Sequence, residues 1–367
     1  MKNPVKIGIV GCGNISPIYF ENAAVFDILQ IAGCADLNIQ AAEQRSKEYD
    51  VPVMQIDELI NAAEIDIVLN LTTPPVHAEL ALAAINAGKH TYCEKPLAVH
   101  REDGRKVIAA AQSANLLVGS APDTFLGAGI QTCRKLIDDG VIGKPVAGTA
   151  FMQCHGHESW HPNPGFYYLA GGGPMFDMGP YYLSALINLL GPVSRVSAST
   201  AKTFPERVVT SEARHGEVLP VEVTTHLAGT LDFAEGAIIT MVMSFDVWHH
   251  GHQHIEIYGT EGSLQVPDPN TFGGPVKVRG KDDDDWREIP LTHAYADNSR
   301  IIGVADLATA LRQGRQPRCS GDLAFHVLDM MSAFDESSEQ GKHIQIESTC
   351  EKPAALQAGL TSGNLGD

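Results

Sequence analysis

At 367 residues, 44% of them hydrophobic and 19% charged, the chain is too long for one ordinary core and has the balance of a two-domain globular protein. A formal net charge of -18 sets it against nucleic acid and anionic membranes, which both select basic faces, and no apolar run approaches the ~18 residues of a membrane span. The seven scattered cysteines form no Cys-x-x-Cys pair and indicate neither a disulfide framework nor a zinc knuckle. Together with Met1-Lys2-Asn3-Pro4 leading straight into an apolar strand, they set the expectation of a cytoplasmic protein.

Up to residue 122 strand and helix signals alternate, the pattern of a doubly wound parallel sheet. Strands are expected at 5–10, 29–35, 65–71, 90–93 and 116–119. Helical stretches follow the glycine turn 11–16, cover 76–87 before Gly88, and fill 101–115. From residue 123 to 367 the pattern changes. A linking helix over 127–139 precedes a strand from Gly143-Lys144-Pro145 to His157, a loop over 160–174, and a helix over 176–190. Strand-like segments with hairpin punctuation then run to residue 289 without interleaved helices, which predicts an open, largely antiparallel sheet. Two helical stretches, 300–312 and 323–339, close the chain. The Asp282–Asp285 run reads as a solvated hairpin tip, since adjacent carboxylates cannot all face one ion. The expected domains are therefore 1–122, with the doubly wound parallel sheet, and 123–367, an α/β domain with the open sheet.

Gly11-Cys12-Gly13-Asn14-Ile15-Ser16 follows the first strand and opens a helix. Its glycines allow a tight turn and close approach to a pyrophosphate seated on the helix N-terminus. Ser16 replaces the usual third small residue. Asp36 ends the second strand, where a carboxylate accepts from the adenosine ribose hydroxyls and repels a 2′-phosphate; the next basic residue is Arg45. The expected cofactor is NAD. Glu94-Lys95-Pro96 stands directly after the strand 90–93, at the carboxyl ends of the strands where ligands of such sheets bind, so Lys95 is expected to face the nicotinamide. A buried lysine beside a cationic ring loses pKa and exchanges protons near neutrality.

Gly11-x-Gly13, Asp36, Thr72-Thr73-Pro74-Pro75 with His77, Glu94-Lys95-Pro96, Gly140–Pro145 and Gly171–Tyr181 together resemble the glucose–fructose oxidoreductase / inositol dehydrogenase / rhizopine catabolism (Gfo/Idh/MocA) family. The resemblance covers nearly the whole chain. It implies a Rossmann domain with an open-sheet α/β domain, and Gly11, Gly13, Asn14, Ile15, Asp36, Thr72, Thr73, Pro74, His77, Glu94 and Lys95 as cofactor-binding residues. It also implies Lys95, Asp177 and Tyr181 as catalytic residues. The family usually reads Asp-x-Gly-x-His; here Tyr181 holds the His position, as the Tyr of glucose–fructose oxidoreductase does, and Ser184 stands where an Asp is frequent. Assembly as a homodimer or homotetramer through the C-terminal sheet is implied as well.

Two histidine-rich segments remain, His155–His161 and Trp248–His254. On strands, His155 and His157 would share one face, as would His250, His252 and His254. That spacing suits a transition metal, contacts to sugar hydroxyls, or ordinary polar sheet positions. The resemblance implies no metal, so none is expected, and His155, His157, Trp160, His161, Lys95, Asp177 and Tyr181 are the expected substrate contacts. Trp160 and Trp248 suit either stacking on a sugar or packing. The leading expectation is an NAD-dependent oxidoreductase acting on CH–OH, moving a hydride between a sugar or cyclitol carbon and nicotinamide. The alternative is an NAD-dependent glycosidase working by transient oxidation, elimination, water addition and reduction. A non-catalytic NAD-binding regulator is disfavoured, because a sensor needs neither Lys95 nor Asp177.

Overall fold

The computed structural model describes residues 3–366, and the chain divides into two compact units. The first holds the chain up to Gly127, the stretch His293–Leu328 and the C-terminal stretch from Leu356; the second holds Ala128–Thr292 and Asp329–Ala355. From His293 onward the chain is thus shared between the two units.

In the first unit β1 (Val5–Val10), α1 (Ser16–Ala23), β2 (Leu29–Ala35), α2 (Ile39–Tyr49), α3 (Ile56–Asn61), β3 (Ile67–Asn70), α4 (His77–Asn86), β4 (His90–Cys93), α5 (Arg101–Ala114) and β5 (Val118–Ser120) follow one another. The strands form a parallel five-stranded sheet in the order β2-β1-β3-β4-β5. Because helices cover both faces, the strands read as continuous apolar runs: Ile7, Ile9, Val10, Ile67, Val68 and Leu69 are fully buried. One face packs Val10, Leu59, Ile60, Val68 and Ala84, and the other packs Ile85, Cys93, Val107, Val118 and Ala324.

The second unit contains α6 (Ala128–Asp138), β6 (Pro145–Gln153), α7 (Gly173–Leu190), β7 (Val193–Ala201), β8 (Glu206–Val208), β9 (Val218–Pro220), β10 (His226–Phe233), β11 (Ile238–Ser244), β12 (Ile255–Gly259), β13 (Gly262–Val266), β14 (Val276–Gly280) and β15 (Arg287–Ile289). Next in the chain come α8 (Ile302–Gln313), in the first unit, and α9 (Gly321–Gln340), then the short β16 (Ile344–Gln345) of the second. Nine strands form one sheet, β15-β14-β13-β12-β6-β11-β10-β7-β16, antiparallel at every pairing except β6 with β11. Its core lies between the sheet residues Leu227, Leu231, Ile239, Met241 and Met243 and the buried helix α7. Asp282–Asp285 sit at the exposed connection between β14 and β15, as expected. Among the described residues no helix is long and apolar enough to cross a membrane, and all seven cysteines are free.

Candidate active site

After β1 the chain turns through Gly11 at φ +105°, a left-handed conformation that suits glycine alone. A Cβ there would meet the Leu71 backbone at 2.6 Å and the Thr72 nitrogen at 2.8 Å, so the missing side chain lets the loop lie against the end of β3. Over Gly13 a Cβ would meet nothing within 4 Å. Gly13, Asn14 and Ile15 are exposed, and α1 begins at Ser16, whose amide donates to Gly13 O (3.2 Å), with Pro17 in its first turn. Ser16 is buried; its Oγ donates to Gly13 O (2.8 Å) and accepts from Arg45 Nε (3.1 Å). Asp36 accepts from Cys12 N at Oδ2 and from Asn38 N at Oδ1, both at 2.7 Å, which fixes its carboxylate beside the glycine loop. The open space over Gly13, the close turn at Gly11 and the anchored Asp36 fit a dinucleotide.

The neighbouring loop is held from within. Thr72 donates through its amide (3.1 Å) and its hydroxyl (2.7 Å) to Asn70 Oδ1, while Thr73 is exposed and Pro74 opens a short turn. His77 is buried, with Nδ1 2.7 Å from Pro96 O and Nε2 3.1 Å from Thr72 O, and so ties this loop to the Glu94-Lys95-Pro96 turn. Burial pushes its pKa down against the pull of both carbonyls, and a neutral ring has only one N–H to donate between them. Glu94 accepts the Tyr19 hydroxyl at 2.5 Å and the Lys95 amide at 3.0 Å. Lys95 is half-buried just past β4. At the same end of the sheet, past β5, Asp123 is buried and accepts from Ile301 N (3.0 Å) and Gly303 N (3.1 Å). Burial pushes its carboxyl up to about 6, outweighing those donors and Arg300.

The second unit differs from the strand-based reading. β6 stops at Gln153, and Gly156 turns the chain at φ +77°, so His155 and His157 do not share a face. His155 stacks on Trp248, with ring centres 3.4 Å apart. His157 goes the other way: its Nε2 lies 3.2 Å from Asp177 Oδ2, and its ring packs against Tyr167, Phe245 and Trp160. Asp177 and Tyr181 are one turn apart on α7, which starts at Gly173, earlier than expected, because Pro174 suits the first turn of a helix. The hydroxyl of Tyr182 is already committed, 3.2 Å from Phe151 O and 2.9 Å from His254 Nδ1. His161 accepts from Asn163 N at 3.0 Å and packs edge-on to Trp160. Thus His157, Trp160, His161 and Asp177 come together, with His155 across the Gly156 turn. His250, His252 and His254 likewise lie on an exposed loop before β12 rather than on a strand. Among the described residues no group of three or more His, Cys, Asp or Glu is arranged to hold a metal.

One feature absent from the expectations is the environment of Arg207 on β8. It is 4% exposed, and it donates to Glu158 Oε1 (3.1 Å), Phe245 O (2.9 Å) and Asp246. Glu158 also accepts the hydroxyl of Tyr168.

Residues 5–121 match the family model described as an oxidoreductase family, NAD-binding Rossmann fold, and residues 130–265 match the GFO/IDH/MocA C-terminal domain. The chain belongs to the GFO/IDH/MocA family. It is an NAD-dependent oxidoreductase. Among its relatives is 1,5-anhydro-D-fructose reductase of Ensifer adhaerens, 28% identical over 307 residues, covering 80% of this chain and 84% of that protein. Myo-inositol 2-dehydrogenase of Thermotoga maritima is 23% identical over 349 residues, covering 94% and 99%. A solved levoglucosan dehydrogenase in complex with NADH and L-sorbose, 22% identical, superposes with a TM-score of 0.81 over 94% of this chain and 100% of that one, which shows the family's fold.

Proposed function

We propose that this enzyme moves a hydride between a hydroxyl-bearing carbon of a sugar or cyclitol and NAD, with Lys95 moving the hydroxyl proton and Asp177 and Tyr181 contacting the substrate. The observation that carries the reading is the second unit's polar pair, Asp177 with His157, inside a wall of Tyr167, Phe245 and Trp160. Aromatic faces beside a few aimed polar groups suit polyhydroxylated rings. The relatives named above for anhydrofructose, myo-inositol and levoglucosan support the same class. NAD supplies the hydride acceptor when Gly11, Gly13, Asn14, Ile15, Asp36, Thr72, Thr73, Pro74, His77 and Glu94 hold it. His157 holds Asp177 by a hydrogen bond, which fixes the direction of its carboxylate. Tyr181, one turn after Asp177 on α7, is the tyrosine of this reading.

The test is a sugar and cyclitol panel followed by NADH absorbance and product analysis. Lys95→Ala should lower turnover by roughly 10²–10⁴-fold with NAD binding retained. Absence of NADH from every substrate, with release of reducing sugar and loss of deuterium beside the oxidised carbon, would replace dehydrogenation by the elimination route. Exposed Val146 and Ile238, on the adjacent strands β6 and β11, support pairing of two copies through this sheet, and free cysteines throughout suit a cytoplasmic setting.

A further inference from the structure

A second recess in the same unit opens beside the Gly156 turn. It encloses about 360 Å³, within the ~300–1,000 Å³ of small-molecule sites. Its wall includes His155, Glu158, Phe204, Glu206, Arg207 and Trp248. The turn itself builds it: a Cβ on Gly156 would lie 2.2 Å from the Tyr168 hydroxyl and 2.3 Å from Glu158 Oε2, so only glycine lets the chain reverse there. The reversal sends His157 to Asp177 and turns His155 and Glu158 into the recess.

We propose that this recess is a subsite for a second, neutral sugar ring, joined to the ring that is oxidised. The proposal rests on the sugar reading above. Three observations carry it. Trp248 rests on His155 yet remains 71% exposed, a rigid indole platform of the kind on which the apolar face of a pyranose stacks. Phe204, edge-on to His155 and with the Arg207 guanidinium 4.7 Å over its ring, extends the aromatic wall. Arg207 and His155 also line the recess, so nitrogen-bearing polar groups stand beside that aromatic wall.

Charge decides what kind of ring. Arg207 is already paired with Glu158 and Asp246, and Glu206 adds an uncompensated carboxylate at the rim. A uronate or phosphorylated sugar would therefore meet net negative charge, whereas a neutral ring would not. Position decides its place in the substrate. The recess and the Asp177 pair lie on the two sides of one turn, so the second ring belongs to the same ligand rather than to a separate effector.

The test compares maltose, cellobiose and lactose with glucose and galactose, using NADH formation for kcat/KM and calorimetry for binding. In the wild type at least one disaccharide should exceed its monosaccharides about tenfold in kcat/KM. Trp248→Ala should reduce that ratio at least fivefold, through KM rather than kcat, and Trp248→Phe should restore most of it. Glucuronide analogues should bind worse than the neutral sugars. An equal fall for mono- and disaccharides in Trp248→Ala, or no disaccharide advantage in the wild type, overturns the subsite. If no sugar yields NADH, the hydride-transfer reading fails by itself. The subsite then stands on disaccharide binding that Trp248→Ala abolishes, and it falls if no disaccharide binds.

Discussion

Asp123 offers a direct test of how the nucleotide-binding unit is held together. Its carboxyl is fully buried, and its folded pKa is raised from 3.8 to about 6 because burial outweighs two backbone donors and Arg300. A raised folded pKa means that its contribution to stability is complete below the unfolded pKa and is lost as pH rises through about 6. The whole shift corresponds to about 3 kcal/mol, of which about 1.4 kcal/mol falls between roughly pH 5 and pH 8. Asp123→Asn keeps an acceptor for Ile301 N and Gly303 N and carries no charge to bury. In urea unfolding followed by fluorescence, the stability difference should therefore move by about 1.4 kcal/mol in the variant's favour from pH 5 to pH 8. A difference that stays constant with pH would refute the reasoning. Movement in the opposite direction would mean that Arg300 and the start of α8 hold the carboxylate ionised.

Asp36→Ala removes the acceptor for Cys12 N and Asn38 N as well as the charge facing a 2′-phosphate, so calorimetry should show weaker NAD binding and at least a tenfold fall in preference over NADP; an unchanged preference would assign selectivity elsewhere, with Arg45 the first suspect. Gly156→Ala forces a left-handed alanine, costing about 1–2 kcal/mol before the clash with Tyr168 and Glu158 is counted. Its melting temperature should fall by several degrees, and a wild-type melt would show that the turn relaxes freely.

The parallel strands were legible because burial on both faces leaves near-continuous apolar runs, broken in Val5–Val10 only by Lys6. Helix α2 was not assigned, for the opposite reason: among its residues only Ala42 is buried, so no apolar stripe marks it. The histidine segment misled through one residue. Gly156 breaks the alternation that strand spacing assumes and places neighbouring histidines in different surroundings. The Arg207 cluster had no local signal at all, since its partners Asp246 and Glu158 stand 39 and 49 positions away and meet it only once the chain has folded. Asp177 and Tyr181 were found through the resemblance, while the hydrogen bond from His157 that orients Asp177 emerges only from packing.

The edge of β5 has a consequence for how the chain acquires its fold. That edge is closed late: Ser120 donates to Cys319 O at 3.1 Å, and Gly119 bridges Ser320, so the residues that seal the parallel sheet are separated from it by the whole of Ala128–Thr292. During synthesis the first strands and helices emerge long before their cover, leaving a bare strand edge of the kind that recruits other chains. Closing it requires a loop the size of the second unit to be traversed, an entropic cost that rises only slowly with length when that loop is itself compact. A chain cut after β15 should therefore leave its nucleotide-binding unit aggregation-prone rather than merely shorter, and pairing between Gly119 and Ser320 belongs among the last events of folding.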